Sequence, residues 1–231
     1  MIVYPRIIAH RCGGVLAPEN TLAGLAAAAR LGCRAVEFDV MLTADHVPIL
    51  MHDETLDRTT RCTGRVAEMS FADMRARDET VPTLEEALAE CWRRALWVNI
   101  ELKPAAGYEQ ITGQVVGRWL ARHWNGHGLI SSFSEKSTLA LRHEIPAADC
   151  ALLFDVLPGD WQARCDRVGA TAVHLDAAQV DDAVAAQLGG FRWACYTVNE
   201  TAEAERLFAS GCAAIFTDHP ALWFKDSGLP G

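Results

Sequence analysis

A chain of 231 residues that is 50% hydrophobic but only 8% aromatic can bury a large core, packed mainly by aliphatic side chains. Its formal net charge of −9 argues against a nucleic-acid or anionic-membrane surface, so an anionic substrate needs positive charge concentrated locally. The eight cysteines include no C-x-x-C pair, and a chain this long needs no disulfide staples. Reduced, apolar thiols are the expectation, with Cys12 set apart by its charged neighbourhood.

The N-terminal residues carry no charged leader, and no stretch approaches the ~18 uninterrupted apolar residues of a membrane helix, so a soluble cytoplasmic protein is expected. An extended apolar run over 6–10 ends in His10-Arg11, and Asn20 before Thr21 reads as the cap of a helix over 21–31, stopped by Gly32. The next strand, 35–40, carries Glu37 and Asp39. Residues 41–82 form a longer excursion, in which 41–43 and 47–51 flank Ala44-Asp45-His46 as a β-hairpin. Pairing Thr43 with Val47 returns His52 to a position opposite Phe38 or Asp39. The polar stretch that follows, through Arg65, reads as a small insertion at a rim.

Thr83 with Glu86 opens a helix over 83–94, and the strand 96–102 leads into Lys103. Helices over 107–124, 134–144, 160–168, 179–188 and 200–209 then alternate with strands over 128–132, 150–154, 171–175, 192–197 and 213–217, and a short helix follows 219. Ser134 and Asn199 read as caps; Gly169, Gly189-Gly190 and Gly211 read as stops. Eight strands alternating with eight helices predict a (β/α)8 TIM barrel, in preference to a doubly wound open sheet. It is expected to form one domain over residues 1–231, with the hairpin-containing insertion after the second strand.

Residues i and i+2 of a strand share a face, so Glu37 points with Asp39, and Glu101 with Lys103. Isolated buried charges are costly, and acids inside apolar strands therefore need a metal or a cationic partner. Glu37, Asp39 and Glu101 form an all-oxygen set suited to a divalent cation, Mg2+ or Ca2+, whereas the scattered cysteines disfavour zinc. His10 and His52 meet the same acids and suit a proton-transfer pair. Arg11 and Lys103 can bind phosphate oxygens, neutralise the acids, or do both, and the helix start at 18–21 is placed to meet an anion. His174, on a later strand, is a candidate for the rim; His123 and His127 flank a helix terminus and read as surface residues. Together these groups form a toolkit for cleaving a phosphoester.

The same residues resemble the glycerophosphodiester phosphodiesterase family. The likeness runs in order through His10-Arg11, Gly14, Pro18-Glu19-Asn20-Thr21, Glu37-x-Asp39, Leu42-Thr43-x-Asp45, His52-Asp53, Arg58-Thr59-Thr60 and Val81-Pro82-Thr83-Leu84. It continues through Glu101-x-Lys103, Ser132-Phe133, Tyr196-Thr197-Val198-Asn199 and Thr217-Asp218-x-Pro220. The resemblance implies a TIM-barrel hydrolase that converts glycerophosphodiesters to sn-glycerol 3-phosphate and an alcohol. It puts metal ligands at Glu37, Asp39 and Glu101, catalytic histidines at His10 and His52, and basic phosphate contacts at Arg11 and Lys103. It also implies a part in lipid and glycerol metabolism, with a small molecule as partner. The chain departs from the family pattern at His46, where the hairpin turn usually has Gly, and at Tyr196, where Trp is usual and a contact with glycerol or head group is implied. It also lacks an acid often found just before Thr217. A metal-dependent barrel lyase or aldolase, and a non-catalytic phosphodiester-binding module, are the rival readings of the residues.

Overall fold

In the computed structural model, which describes residues 4–224, the apolar runs become nine strands in one sheet. These are β1 (Ile7–Ala9), β2 (Ala35–Leu42), β3 (Pro48–Leu50), β4 (Trp97–Leu102), β5 (Gly128–Ser132), β6 (Cys150–Phe154), β7 (Ala172–Asp176), β8 (Arg192–Tyr196) and β9 (Ala214–Thr217). Only β3 is antiparallel, hairpinned onto β2. The other eight run parallel in chain order around a ring, which closes because β1 pairs with both β2 and β9. Eight helices accompany them: α1 (Leu22–Leu31), α2 (Phe71–Arg77), α3 (Leu84–Arg93), α4 (Glu109–His123), α5 (Glu135–Glu144), α6 (Trp161–Val168), α7 (Asp182–Gln187) and α8 (Thr201–Ala209). After β9 the described residues hold only a 3-10 turn, Pro220–Leu222. The molecule is a (β/α)8 barrel.

The two faces of β2 show how the sequence builds it. All eight of its residues are buried, as a stave covered on both sides requires. Val36, Phe38 and Val40 pack outward with Leu25 and Ala28 of α1 and Leu84 and Leu88 of α3. The alternate residues point inward, so Ala35 lies on the floor and Glu37 and Asp39 rise toward the mouth. The floor is narrow because Ala35, Ala151, Ala172, Ala194 and Ala214 line it, filled by Tyr4 and Trp97. On the outside, α4 and α5 touch closely at Gly113, where a Cβ would stand 2.2 Å from the Ser137 carbonyl oxygen.

The excursion after β2 has the predicted register: Val40, Met41 and Leu42 oppose Leu50, Ile49 and Pro48, and Met51 N–H donates to Asp39 O at 3.1 Å. It is more than a polar rim loop, however. Met41, Ile49, Met51, Leu56, Cys62, Val66, Met74 and Val81 form their own small core beneath it. The sequence reading missed α2 because two turns offer too little periodicity, although Ser70 caps it by accepting from Asp73 N–H. His46 takes the left-handed turn conformation (φ 60°) that glycine would adopt freely, so the hairpin keeps its tight geometry despite the side chain. Among the described residues no helix is long and apolar enough to cross a membrane. All eight cysteines are free and buried, and burial pushes the Cys12 thiol up, away from reactivity.

Candidate active site

The ring closure gathers the candidate residues at the C-terminal mouth. His10, Arg11, Glu37, Asp39, His52, Glu101, Lys103 and Tyr196 border one cavity. Parallel register sets Asp39 of β2 beside Glu101 of β4, and oxygens of Glu37, Asp39 and Glu101 lie within 4.8 Å of one another. The three acids are 2%, 2% and 8% exposed. Burial, with the neighbouring carboxylates, pushes the Glu37 and Glu101 carboxyls up. Cations stand close but do not satisfy them. Lys103 Nζ is 3.5 Å from Asp39 and 3.7 Å from Glu101, and Arg11 Nε is 4.0 Å from Asp39. Glu37 Oε1 and Glu101 Oε1 are buried without a hydrogen-bond partner. Such unspent oxygens in a self-repelling acidic set fit a hard divalent cation.

Asp39 is oriented by Asn20. Asn20 Nδ2 donates to Asp39 Oδ2 at 2.8 Å, and Asp39 N–H donates to Asn20 Oδ1 at 3.1 Å. The expected role of Asn20 as helix cap is therefore corrected: Thr21 caps α1, and Asn20, in a left-handed conformation, turns its amide into the barrel. Nor does the start of α1 reach the central cavity as expected. Its cap already satisfies Gly24 N–H, and Glu19 and Asn20 act instead on Arg11 and Asp39.

His10 sits in the tight turn after β1, where Arg11 adopts φ 47° so that its N–H donates to Glu37 Oε2 at 2.8 Å. His10 Nδ1 is 2.7 Å from Asp218 Oδ1, and its Nε2 faces Glu37 Oε2 at 3.9 Å. The hydrogen bond from His10 pulls the Asp218 carboxyl down to about 2. Asn199 steadies that carboxylate, donating to Oδ2 at 3.2 Å and accepting from Asp218 N–H at 2.8 Å. This corrects the second expected cap, since Glu200 occupies the N-cap of α8. Gly14 belongs to the same joint: a Cβ there would lie 2.1 Å from the Asp218 carbonyl oxygen, which accepts from Val15 N–H.

His52 repeats the pattern on the other side. Its Nδ1 is 2.7 Å from Asp53 Oδ1, and Asp53 accepts from Arg58 Nε at 2.5 Å, which holds the Asp53 carboxyl well below the usual range. Arg58 also forks onto Glu19 with two bonds of 2.7 Å, and Glu19 accepts from Arg11. A chain of alternating charge thus links Arg11 to His52. Burial lowers the His52 pKa, against the opposing pull of Asp39.

The far wall of the cavity is apolar and aromatic. Tyr196 OH donates to Phe154 O at 3.0 Å and lies 3.3 Å from Asp155 Oδ1, so its hydroxyl is occupied and the ring is what it presents. His174 is not at the rim. It lines the cavity from a fully buried position, 2.8 Å from Tyr4 OH, and burial lowers its pKa to about 3. His123 and His127 are exposed, as expected. Reasoning from the sequence assigned no part in the site to Asp218, Asn199, Asn20 or Arg58. Asp218 carried a usable signal, an acid just past the end of a strand; Asn20 and Asn199 looked like routine caps.

Fold and pocket together define a barrel protein with an acidic, histidine-flanked pocket at its C-terminal mouth. The model of the Glycerophosphoryl diester phosphodiesterase family matches residues 10–222, and the chain belongs to that family. A glycerophosphodiester phosphodiesterase from Caldanaerobacter subterraneus is 28% identical over 229 residues, covering 93% of this chain and 94% of its own. Human glycerophosphodiester phosphodiesterase 1 is 43% identical over 109 residues, 42% of this chain; the match spans only 33% of the human protein's length. The structure of an Oleispira antarctica phosphodiesterase in complex with the product sn-glycerol-3-phosphate superposes with a TM-score of 0.87. That protein is 30% identical, with 94% of each chain covered.

Proposed function

We propose that the protein hydrolyses glycerophosphodiesters to sn-glycerol 3-phosphate and an alcohol, using a divalent cation, Mg2+ or Ca2+, held by Glu37, Asp39 and Glu101. One observation carries the reading: two histidines, each fixed at Nδ1 by its own carboxylate, flank three buried acids with unspent oxygens. The likeness to proteins of this activity supports it.

When bound, the cation supplies Lewis-acid stabilisation of charge on a phosphoryl oxygen. Arg11 and Lys103 face the same cavity and neutralise the remaining negative charge as it grows. Asp218 and Asp53 hold the Nδ1 sides of His10 and His52, so proton movement falls to Nε2 of each ring. One ring takes the proton of the attacking oxygen, from water or from the substrate's own 2-hydroxyl. The other protonates the departing alkoxide. The partly buried setting of His52 favours its neutral form and suits it to accept a proton.

Incubation with glycerophosphocholine and Mg2+ or Ca2+, with and without EDTA, tests the reading. Release of glycerol 3-phosphate that stops with chelator and returns with metal is expected. Binding without release would instead identify a binding module, and inertness coupled with metal-dependent carbon–carbon cleavage would identify a lyase.

A further inference from the structure

The alternating charges that run from Arg11 to His52 turn on one side chain. Arg58 presents two edges of its guanidinium at once: Nε and Nη2 donate to Asp53 at 2.5 and 3.1 Å, while Nη1 and Nη2 donate to Glu19, both at 2.7 Å. Glu19 in turn accepts from Arg11 Nη1 at both of its oxygens, 3.1 and 3.2 Å away. Asp53, Arg58 and Glu19 do not border the central cavity, whereas His52 and Arg11 do. Any effect of the three on a reaction there passes through those two residues. Among the described residues, Arg58 with Glu19 is the only ion pair between the loop of residues 10–21 and the excursion of residues 43–82. The Arg58 side chain is 47% exposed, so the pair adds little to stability; what it fixes is geometry.

A carboxylate gripped at both oxygens resists rotation, so Asp53 keeps Oδ1 aimed at His52 Nδ1 and leaves Nε2 for the proton. Glu19 does the converse for Arg11. The Arg11 Nε is buried without a hydrogen-bond partner, 4.0 Å from Asp39, and the unspent acid oxygens lie close by. Held at Nη1 by Glu19, the guanidinium stays off that acidic set and remains free to meet a phosphate. We propose that Arg58 is a positioning residue for both groups. Through Asp53 it aligns the histidine that moves a proton, and through Glu19 it spaces the arginine that meets the phosphate. One guanidinium thereby keeps in register two groups supplied by separate segments. The inference rests on the phosphodiesterase reading above and adds to it a residue that acts from outside the cavity. Lysine could not take its place, because an ammonium has no planar fork with which to grip two carboxylates at once.

The test measures kcat and KM for glycerophosphocholine at saturating Mg2+ or Ca2+, with the thermal midpoint of each variant alongside. Arg58→Gln should lower kcat by roughly 10–100-fold and raise KM severalfold, as a misplaced reacting group does, while the midpoint stays within a few degrees of wild type. Arg58→Lys should recover no more than about threefold of the lost kcat. In an Asp53→Asn background, Arg58→Gln should cost kcat only about twofold more, because both changes act on the same ring; its effect on KM should persist through Glu19 and Arg11. Glu19→Gln, which leaves Arg58 on Asp53, should raise KM severalfold and change kcat by about threefold or less. Wild-type kcat and KM in Arg58→Gln would overturn the inference and leave the phosphodiesterase reading standing. So would full recovery by Arg58→Lys, which would reduce the role to charge, or a kcat loss in the Asp53→Asn background as large as in wild type. A Glu19→Gln variant that lost kcat with KM unchanged would overturn it as well. Inertness of the wild-type protein toward glycerophosphocholine with either cation would remove the phosphodiesterase reading, and this inference with it.

Discussion

At the floor of the barrel, Tyr4 and His174 are buried side by side, 2.8 Å apart, and burial keeps both neutral. At the mouth, on β2 and β4, Glu37, Asp39 and Glu101 are buried almost as deeply and leave oxygens unsatisfied. The floor discharges its titratable groups; the mouth concentrates charge that the protein alone does not balance. A neutral hydrogen-bonded pair adds to stability, whereas a crowded acid cluster costs stability until a cation arrives. The floor is thus balanced by its own hydrogen bond, while the mouth keeps acid oxygens that a cation would fit.

If that contrast is right, substitutions at the mouth should act on rate and those at the floor on stability. The largest effect is expected from His10→Ala and His52→Ala, each lowering kcat by roughly 10²–10⁴-fold while the thermal midpoint stays within a few degrees. Near-wild-type turnover in either variant, measured with glycerophosphocholine, would break the pairing. Next comes Asn20→Ala, which frees the Asp39 carboxylate from its clamp. It should weaken metal affinity or activity by about 10–100-fold, and a metal titration would show the midpoint moving upward with it.

At the floor, Tyr4→Phe removes the hydrogen bond to His174 and leaves the ring without a partner. A loss of about 1–3 kcal/mol in urea unfolding is expected, with kcat/KM little changed. An effect of similar size is expected in pH dependence. His174 titrates at about 3 in the folded protein against about 6.5 unfolded, so below pH ~6.5 the unfolded chain binds the extra proton. Its contribution is therefore complete above pH ~6.5 and is lost as pH falls toward 3, at up to about 1.4 kcal/mol per pH unit. Urea midpoints at pH 7 and pH 5 should separate more for the wild-type protein than for His174→Gln. Equal separations would show that the floor does not exclude the proton.

Much of the mouth was legible because it depends on short-range geometry. The shared face of Glu37 and Asp39 follows from the pleat, and the return of His52 follows from the hairpin's turn and pairing. The floor and the supports were less legible. His174 looked like a rim residue because a strand position indicates a face of the sheet but not a depth along the barrel axis. Asn20 and Asn199 looked like helix caps because both precede helices. Their carboxylate partners come from separate segments, and in Asn20 a positive φ turns the amide away from its helix.

Alternation of apolar and polar residues, strand and helix lengths, and turn chemistry were enough to determine eight staves, their order and the residues each aims at the axis, because each depends on a few consecutive φ/ψ choices. Tertiary structure alone decided the partners. His10 meets Asp218 across 208 residues only because β1 closes against β9, and Asp155 stands opposite His10 and Arg11 only because the ring places β6 across from β1. Contacts of that range depend on closure and on how each loop lies against its neighbours, and no local stretch of chain encodes them.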